Sequence, residues 1–235
     1  MKRYPSYKDS GIDWLGEIPE HWVVKELKYL SVNERYSFVD GPFGSDLKNE
    51  EYTDTGVPLI QLNNIGIGEH IIRNLKFISK EKAEQLYKHK VLPNDIVIAK
   101  MAEPVARSAK VKPDFKEYVV VADCMKFRPA LDTINVDFLV YTMNVGYVKA
   151  QAEVRSTGTT RIRIGLTNAK KLKVVVPPLP EQQTIANYLD HKTHLIDTLI
   201  DKKEKRIDLL KEQRAAIINQ AVTKGLNPNV KLKDS

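Results

Sequence analysis

The side chains best suited to metal chemistry are the five histidines, and two of them lie close together in the sequence. His191 and His194 are three residues apart, close enough on a helix to share a metal ion. A protein metal site usually takes three or four ligands. No acidic third ligand is compelling, although Asp190 is adjacent. A solvated helix face explains the pair better, so we predict no metal site.

A metal-dependent nuclease would need two carboxylates and a lysine that converge on Mg²⁺. Asp95, together with Asp114 and Lys116, supplies those side-chain types. The Asp-x-Lys triplet, however, lies in a proline-flanked stretch typical of a loop rather than of a strand. The sequence also lacks a Gly-rich phosphate loop and a local Ser/His/Asp trio. We therefore expect no catalytic residue in this chain and keep a nuclease as the less favoured alternative.

Basic residues are concentrated in one part of a chain whose formal net charge is +7. Residues 144–173 carry seven Lys or Arg residues against one acidic residue, Glu153. A polyanion binder needs such an excess, because each phosphate that it neutralises releases counterions. A basic, solvated surface with no ligand is the alternative reading of the same charge.

The most suggestive part of this segment is residues 156–164, STGTTRIRI. Small hydroxyls and a glycine precede arginines that alternate with isoleucines, a pattern that favours an edge strand with both arginines on one face. Hydroxyls and guanidinium groups contact phosphate oxygens and guanine edges. Pairing of the arginines with nearby acids is the alternative, but only Glu153 is local. We predict DNA contacts from Arg155, Thr159, Thr160, Arg161 and Arg163, and then from Lys100, Arg107 and Lys110 near the strand that begins at Ile96.

The composition limits the class of protein that carries these residues. The chain has 235 residues, 42% hydrophobic and 29% charged, so it can bury a core and is not globally disordered. A single cysteine, Cys124, excludes a disulfide framework and a Cys-based zinc site. No apolar run reaches the ~18 residues of a membrane span, and the first residues lack the apolar stretch of a secretory signal. We expect a soluble, cytoplasmic protein.

Residues 1–178 mix strand-like and helix-like segments without a regular β-α-β alternation, which favours a mixed α+β domain. Short β-branched runs predict strands, and two longer segments predict helices, one capped by Ser79 and the other by Asn135 or Asp137. The predicted strands are residues 57–62, 71–78, 96–99, 119–122 and 172–176, and the predicted helices are residues 80–89 and 136–154.

Residues 181–223 contain neither glycine nor proline and predict one long helix, with Pro180 suited to its first turn and Gly225 to its end. Three- and four-residue steps along it trace an apolar heptad stripe. A helix of about 43 residues is roughly 60 Å long, so pairing with another helix explains the stripe better than packing on its own domain. The register stays open. The predicted pairing residues are Leu189, Ile196, Ile200, Ile207, Leu210 and Ile217.

The two ends of the chain share a short repeat, Lys-Asp-Ser at residues 8–10 and 233–235. A tandem protein with two such units, cut between them or encoded as one half, has this pattern. We predict a globular domain at residues 1–178, a spacer and dimerisation helix at 179–225, and a flexible tail at 226–235 that leads to a missing second repeat.

Four stretches resemble the specificity (S) subunit of type I restriction–modification systems. They are residues 13–22 (DWLGEIPEHW), 41–47 (GPFGSDL), 92–96 (LPNDI) and 177–183 (PPLPEQQ). The last stretch, with its helix and the ending AVTKGL at residues 221–226, is the most specific, and the resemblance spans nearly the whole chain. One departure is Asn94, since the family commonly has glycine before the aspartate.

The resemblance implies a non-catalytic subunit that directs methylation and restriction subunits to a split double-stranded DNA target. It also implies S-adenosylmethionine on the methylation (M) subunits, with ATP and Mg²⁺ on the motor–nuclease (R) subunit and no cofactor on this chain. Family members hold two recognition domains and two antiparallel helices, so one domain and one helix suggest a half-subunit or a truncation that pairs as a C₂ homodimer. A coiled-coil adaptor of a non-DNA assembly is the main alternative, although it leaves the basic segment unexplained.

Overall fold

The computed structural model describes residues 4–101, 103–158 and 162–226, and it divides into two compact units after Ala186. The first unit is a mixed α+β domain. Its strands, in chain order, are β1 (Tyr7–Asp9), β2 (Glu17–Pro19), β3 (Val23–Glu26), β4 (Phe38–Asp40), β5 (Tyr52–Thr53), β6 (Val57–Ile60), β7 (Phe77–Ile78), β8 (Lys90–Val91), β9 (Ile96–Ala99), β10 (Ser108–Lys110), β11 (Tyr118–Val120), β12 (Cys124–Phe127) and β13 (Lys173–Val176).

The α-helices are fewer, and the last one continues into the second unit. They are α1 (Lys80–Gln85), α2 (Val136–Met143), α3 (Gly146–Val154), α4 (Leu166–Lys170) and α5 (Leu179–Lys224). Short 3₁₀ turns occur at Leu27–Leu30, Asn49–Glu51, Leu62–Asn64 and Tyr87–His89. The predicted class, an α+β domain followed by one long helix, is confirmed, and no described helix has the length and apolar character needed to cross a membrane.

A four-stranded antiparallel sheet in the order β10-β9-β12-β4 forms the centre of the first unit. Strand β9 is fully buried along its length, because alternate side chains enter different cores. Ile96 and Ile98 join the core that includes helices α2 and α3, whereas Val97 and Ala99 join a second core with Tyr118. Burial on both faces explains why the sequence of this strand is a continuous apolar run.

A second sheet, in the order β5-β7-β6-β11-β8, pairs β6 and β11 in parallel and the other strands antiparallel. Leu59, Ile78 and Val119 from this sheet pack with α1 in a third core. Two small antiparallel pairs complete the unit, β1 with β2 and β3 with β13.

For two of the predicted elements that are wrong in extent, polar side chains explain why. The predicted strand at 71–78 is a strand only at Phe77–Ile78, because the buried Asn64 amide donates to the carbonyls of Ile71 and Arg73 at 3.0 and 3.1 Å. The predicted helix at 136–154 is interrupted between α2 and α3, where the Asn144 amide donates to the Ser108 carbonyl at 2.9 Å. A side chain that hydrogen-bonds backbone groups in this way competes with regular structure.

The predicted helix caps are confirmed. Ser79 Oγ accepts from the Lys82 N–H at 3.1 Å, and Asn135 Oδ1 accepts from the Phe138 N–H at 2.8 Å. The helix predicted at 80–89 is α-helical only to Gln85, after which a 3₁₀ turn follows.

Helix α5 begins at Leu179, where the sequence predicts, but the first compact unit extends to Ala186. Gln182 and Ala186 on its first turns are buried, at 1% exposure each, and Ala186 belongs to the same core as α2 and α3. The domain boundaries at 178 and 225 therefore stay predictions. The predicted tail lies almost wholly outside the described residues.

The second unit contains the rest of α5, and the predicted apolar stripe lies along it. Five of its six residues are about half exposed, and Leu189 is partly buried. The exposed fractions are 56% for Ile196, 48% for Ile200, 51% for Ile207, 48% for Leu210 and 59% for Ile217. Lys203 and Arg214 occupy two positions of the row. A row of exposed apolar side chains is typical of a surface that pairs with another chain.

Candidate nucleic-acid interface

Three connections of the central sheet meet at one of its ends, because β4 and β9 both run antiparallel to β12. We call residues 41–47, 100–107 and 121–123 the loop end. The Gly41 N–H donates to the Cys124 carbonyl at 2.8 Å, and the Lys100 N–H donates to the Asp123 carbonyl at 2.9 Å. Loops on a rigid sheet are where binding residues are commonly placed.

The basic segment joins this loop end. Thr157 and Arg163 exchange two backbone hydrogen bonds at 3.0 and 2.9 Å, and Arg163 forms a single bridge with Met101. The Ile164 N–H donates to the Lys100 carbonyl at 2.9 Å. The predicted edge strand is wrong for the described part of the segment, since residues 162–164 form only these isolated bridges. Thr159, Thr160 and Arg161 lie outside the described residues, and their predicted DNA contacts stay predictions.

Among the predicted contacts that the structure describes, Arg163 is well exposed, with 45% of its side chain accessible. Its Nη2 lies 2.5 Å from Asp123 Oδ1, so an acid 40 residues away pairs with it, whereas the sequence indicated only Glu153. The carboxylate orients the guanidinium, whose five N–H donors leave several free to reach phosphate or guanine acceptors. Arg155 is partly exposed after α3, and its Nη1 donates to the Gln151 carbonyl at 3.3 Å.

The other three predicted contacts already have partners within the protein, and their predicted contacts with DNA stay predictions. Lys100 Nζ pairs with Asp40 Oδ2 at 2.9 Å, and only 10% of its side chain is exposed. Lys110 pairs with Asp137. Arg107 donates to the carbonyls of Leu62, Ile65 and Met101 at 2.8, 2.7 and 3.2 Å, and burial lowers the pKa of its guanidinium. Lys100 and Arg107 therefore hold loop segments in place, whereas the Lys110 pair links β10 to α2 with 37% of the lysine side chain exposed.

The loop end also carries an exposed aromatic residue that the DNA-contact prediction left out. Phe43 is 81% exposed within residues 41–47. Gly41, at the start of this loop, packs so tightly that a Cβ atom there would lie 1.9 Å from the Val121 carbonyl oxygen. The signal was in the sequence, since the GPFG pattern indicates a turn that exposes its aromatic residue.

Two of the stretches that carry the resemblance meet at the start of α5. Glu181 accepts from the Trp22 indole at 3.0 Å and from the Tyr4 hydroxyl at 3.1 Å, and its Oε1 lies 2.6 Å from His21 Nε2. The adjacent Gln182 amide is buried and hydrogen-bonds the backbone of residues 133, 135 and 177 at 2.8–3.1 Å. These contacts hold the first turn of α5 within the first unit.

The Glu181 contacts make part of the stability depend on pH. Partial burial opposes ionisation, but the three partners outweigh it and hold the pKa of Glu181 below its usual value. A lowered folded-state pKa gives stability that is present above the unfolded pKa and lost as pH falls through the folded one. We expect Glu181→Gln to cost about 1–2 kcal/mol at pH 7, a difference that shrinks below about pH 4.

Urea unfolding of both proteins between pH 3 and pH 8 measures this difference. Glu20→Gln, at an exposed neighbouring carboxylate, is the matched control and should track the wild type. A Glu181→Gln deficit that stays constant across this pH range would show that ionisation of Glu181 contributes nothing.

The residues considered for metal chemistry are used differently. Asp95 is 3% exposed and forms a two-point ion pair with Arg128, Nε to Oδ1 at 2.8 Å and Nη2 to Oδ2 at 2.9 Å. Its Oδ2 also accepts from the Leu92 N–H at 2.8 Å. One of the two carboxylates that a nuclease would need is therefore occupied. Across residues 4–101, 103–158 and 162–226, no group of three His, Cys, Asp or Glu side chains could hold a metal ion.

Comparison with known proteins identifies related chains over both units. The family model described as "Type I restriction modification DNA specificity domain" matches residues 19–209. The MjaVIII specificity subunit of Methanocaldococcus jannaschii is 26% identical over 225 residues, which cover 94% of this chain and 49% of the relative. The EcoKI specificity subunit of Escherichia coli is 27% identical over 214 residues, covering 88% and 44%. The chain thus spans about half the length of these curated relatives.

Solved structures share the fold. A chain from a study of complex assembly and conformational transition in the type I R-M system superposes with a TM-score of 0.69 at 19% identity, covering 94% of this chain and 49% of that one. The HsdS subunit from Thermoanaerobacter tengcongensis gives a TM-score of 0.60 at 13% identity, covering 92% and 52%.

Proposed function

The chain belongs to the family of type I restriction modification DNA specificity domains, and we propose that it recognises the DNA target of a type I restriction–modification complex. The observation that carries this proposal is that the family match, at residues 19–209, includes most of the globular unit and most of α5. A recognition surface and a helical spacer are therefore combined in one chain, as a split DNA target requires.

In this proposal, the loop end contacts the DNA. Arg163, held by Asp123, and the neighbouring Arg155 donate to phosphate or base acceptors, together with Thr159, Thr160 and Arg161. Phe43 adds an exposed aromatic ring at the same end. The chain itself performs no chemical step. Methylation with S-adenosylmethionine, and cleavage with ATP and Mg²⁺, belong to the M and R subunits that it brings to the target.

The exposed stripe of α5 pairs with a second helix in this proposal. That helix comes from a second copy of the chain or from a further half of a longer chain. Two copies related by a C₂ axis would present two equal recognition surfaces, and an inverted repeat with a fixed spacer would match that symmetry.

Replacing Arg161 and Arg163 together with alanine tests the recognition surface. We expect DNA affinity of the complex assembled with M subunits to fall more than tenfold, which is about 1.4 kcal/mol or more, because two charge-assisted contacts are lost. Fluorescence anisotropy with a labelled duplex measures the affinity.

The matched control is Lys80→Ala with Lys116→Ala, which removes two exposed cations that lie away from the loop-end residues in the chain. Its affinity should stay close to that of the wild type. If the arginine variant binds as the wild type does, these arginines are not contacts. If the wild-type complex shows no affinity for duplex DNA, the proposed function is wrong.

A further inference from the structure

A compact group of cations and aromatic rings lies beside the edge strand β4, apart from the residues predicted to contact DNA. We call Arg35, Tyr36, Tyr87 and Lys88 the cation–aromatic cluster. The Tyr36 and Tyr87 rings are 5.9 Å apart and nearly perpendicular, at 83°. The Arg35 guanidinium lies 4.8 Å from the Tyr36 ring centre, and Lys88 Nζ lies 5.6 Å from Tyr36 and 5.8 Å from Tyr87. The rings therefore fix the positions of two positive charges.

Neither cation is neutralised by a carboxylate of the described residues. The ion pairs in this part of the chain include neither Arg35 nor Lys88. Glu34, the acid next to Arg35 in sequence, lies 3.8 Å from Arg128 instead. Both cations and the Tyr87 ring are exposed, with Tyr87 at 55%. The cluster thus presents two positive charges to solvent.

The backbone of the cluster is conformationally strained at Tyr36. Tyr36 has a φ of 65°, in the left-handed region that bulky residues rarely adopt. On the other side, the buried Lys126 ammonium donates to the carbonyls of Lys88 and Lys90 at 3.1 and 2.9 Å. Strained conformations of this kind persist where the surrounding structure imposes them, and they occur often at functional sites.

The cluster is continuous with the loop end. The 3₁₀ turn Tyr87–His89 runs beside β4, and His89 Nδ1 lies 2.7 Å from the Asp40 carbonyl oxygen at the end of that strand. A groove of about 470 Å³ joins Ser45 and Asp46 of the loop end to Lys82, Gln85 and residues 86–89. Strand β4 alone separates Ser37 from Gly41, so the cluster and the loop end lie close together along the chain. Asp46 is the one acid that lines this groove.

We propose that the cation–aromatic cluster binds a phosphate group of the DNA backbone, on the duplex whose bases meet the loop end. The inference rests on the proposed function. DNA fits better than an acidic protein segment, because the cluster continues a DNA-binding surface and offers only two tyrosine rings as apolar area. Phosphate contacts carry no sequence information, so this site adds affinity for any duplex and fixes the register of the protein on it.

The test is the salt dependence of binding to a random-sequence duplex by the full chain and its Arg35→Gln/Lys88→Gln variant. Each phosphate contact contributes about 0.9 to the slope of log K against log salt, so we expect the loss of this one site to lower the slope by about 0.9. The affinity in 0.1 M salt should fall about tenfold and equally for every sequence. Lys80→Gln/Lys116→Gln makes the same charge change elsewhere and should leave the slope unchanged.

The failures can be told apart. An unchanged slope in the Arg35/Lys88 variant, with salt-dependent binding by the wild type, would overturn the phosphate site and leave the proposed function standing. If the Arg35/Lys88 variant bound duplex DNA like the wild type but bound poly-glutamate more weakly, the cluster would be a site for an acidic protein. That result would also overturn the inference. A wild-type chain that binds no duplex at any salt concentration would contradict the proposed function as well. Thermal unfolding midpoints within about 2 °C of the wild type would show that both variants fold.

Discussion

Replacing Ile200 with aspartate should weaken helix-mediated pairing of the chain at least 100-fold, or by about 2.7 kcal/mol. Ile200 is 48% exposed and lies in the middle of the stripe, between Ile196 and Ile207. In a paired helix it would lose its contact with water, and a carboxylate in that position would have to be desolvated without a partner. In a C₂ pair the substitution occurs twice, so the penalty doubles.

Sedimentation equilibrium over a range of protein concentrations measures this effect. Thr198→Asp is the matched control, because the substitution adds the same charge outside the stripe. Residue 198 lies 200° around the helix from residue 200. We expect the control to associate like the wild type. If the Ile200→Asp protein showed the same association constant as the wild type, the stripe would not be the pairing surface.

Replacing Asp95 with alanine should cost about 3–5 kcal/mol of the free energy of unfolding. The carboxylate is almost fully buried, pairs with Arg128 at two points and accepts a backbone hydrogen bond from Leu92. Its removal leaves the partly buried Arg128 guanidinium without its main counter-charge and the turn before β9 without its anchor.

Thermal and urea unfolding followed by circular dichroism tests this expectation. Glu69→Ala removes a carboxylate from an exposed pair with Lys112, where the side chains are 67% and 46% accessible and the atoms 3.5 Å apart. Such pairs contribute little, so this variant should unfold close to the wild type. If the two variants lost the same free energy of unfolding, the buried pair would contribute no more to stability than the exposed one.

The parts of the fold that could be predicted are those set by local pattern. The apolar run at Ile96–Ala99 is a strand, Ser79 and Asn135 cap helices, and the segment without glycine or proline is the long helix. Asn94, where the family commonly has glycine, has a φ of 69°, and asparagine tolerates this left-handed region better than most residues. That departure is therefore compatible with the turn before β9.

The parts that could not be predicted depend on partners far away in sequence. Arg107 donates to carbonyls 42 and 45 residues away, and Lys100 pairs with an acid 60 positions earlier. Neither interaction can therefore be predicted from the neighbouring sequence. Arg163 likewise pairs with Asp123. Residue type and local charge predict DNA contacts in the basic segment, and its described residues 162–164 lie beside the loop end. Only the tertiary contacts separate the arginine that stays exposed from the cations that hold loops together.

Recognition of a split DNA target is measured most directly by selection from a library of randomised duplexes. The complex of the full chain with its M subunits selects the duplexes, and the retained pool is sequenced. If the chain recognises DNA through the loop end and measures distance with paired helices, the retained pool should contain two half-sites at one fixed separation. The half-sites should be inverted copies if two copies of this chain pair. A retained pool with the same sequence composition as the input would contradict the account.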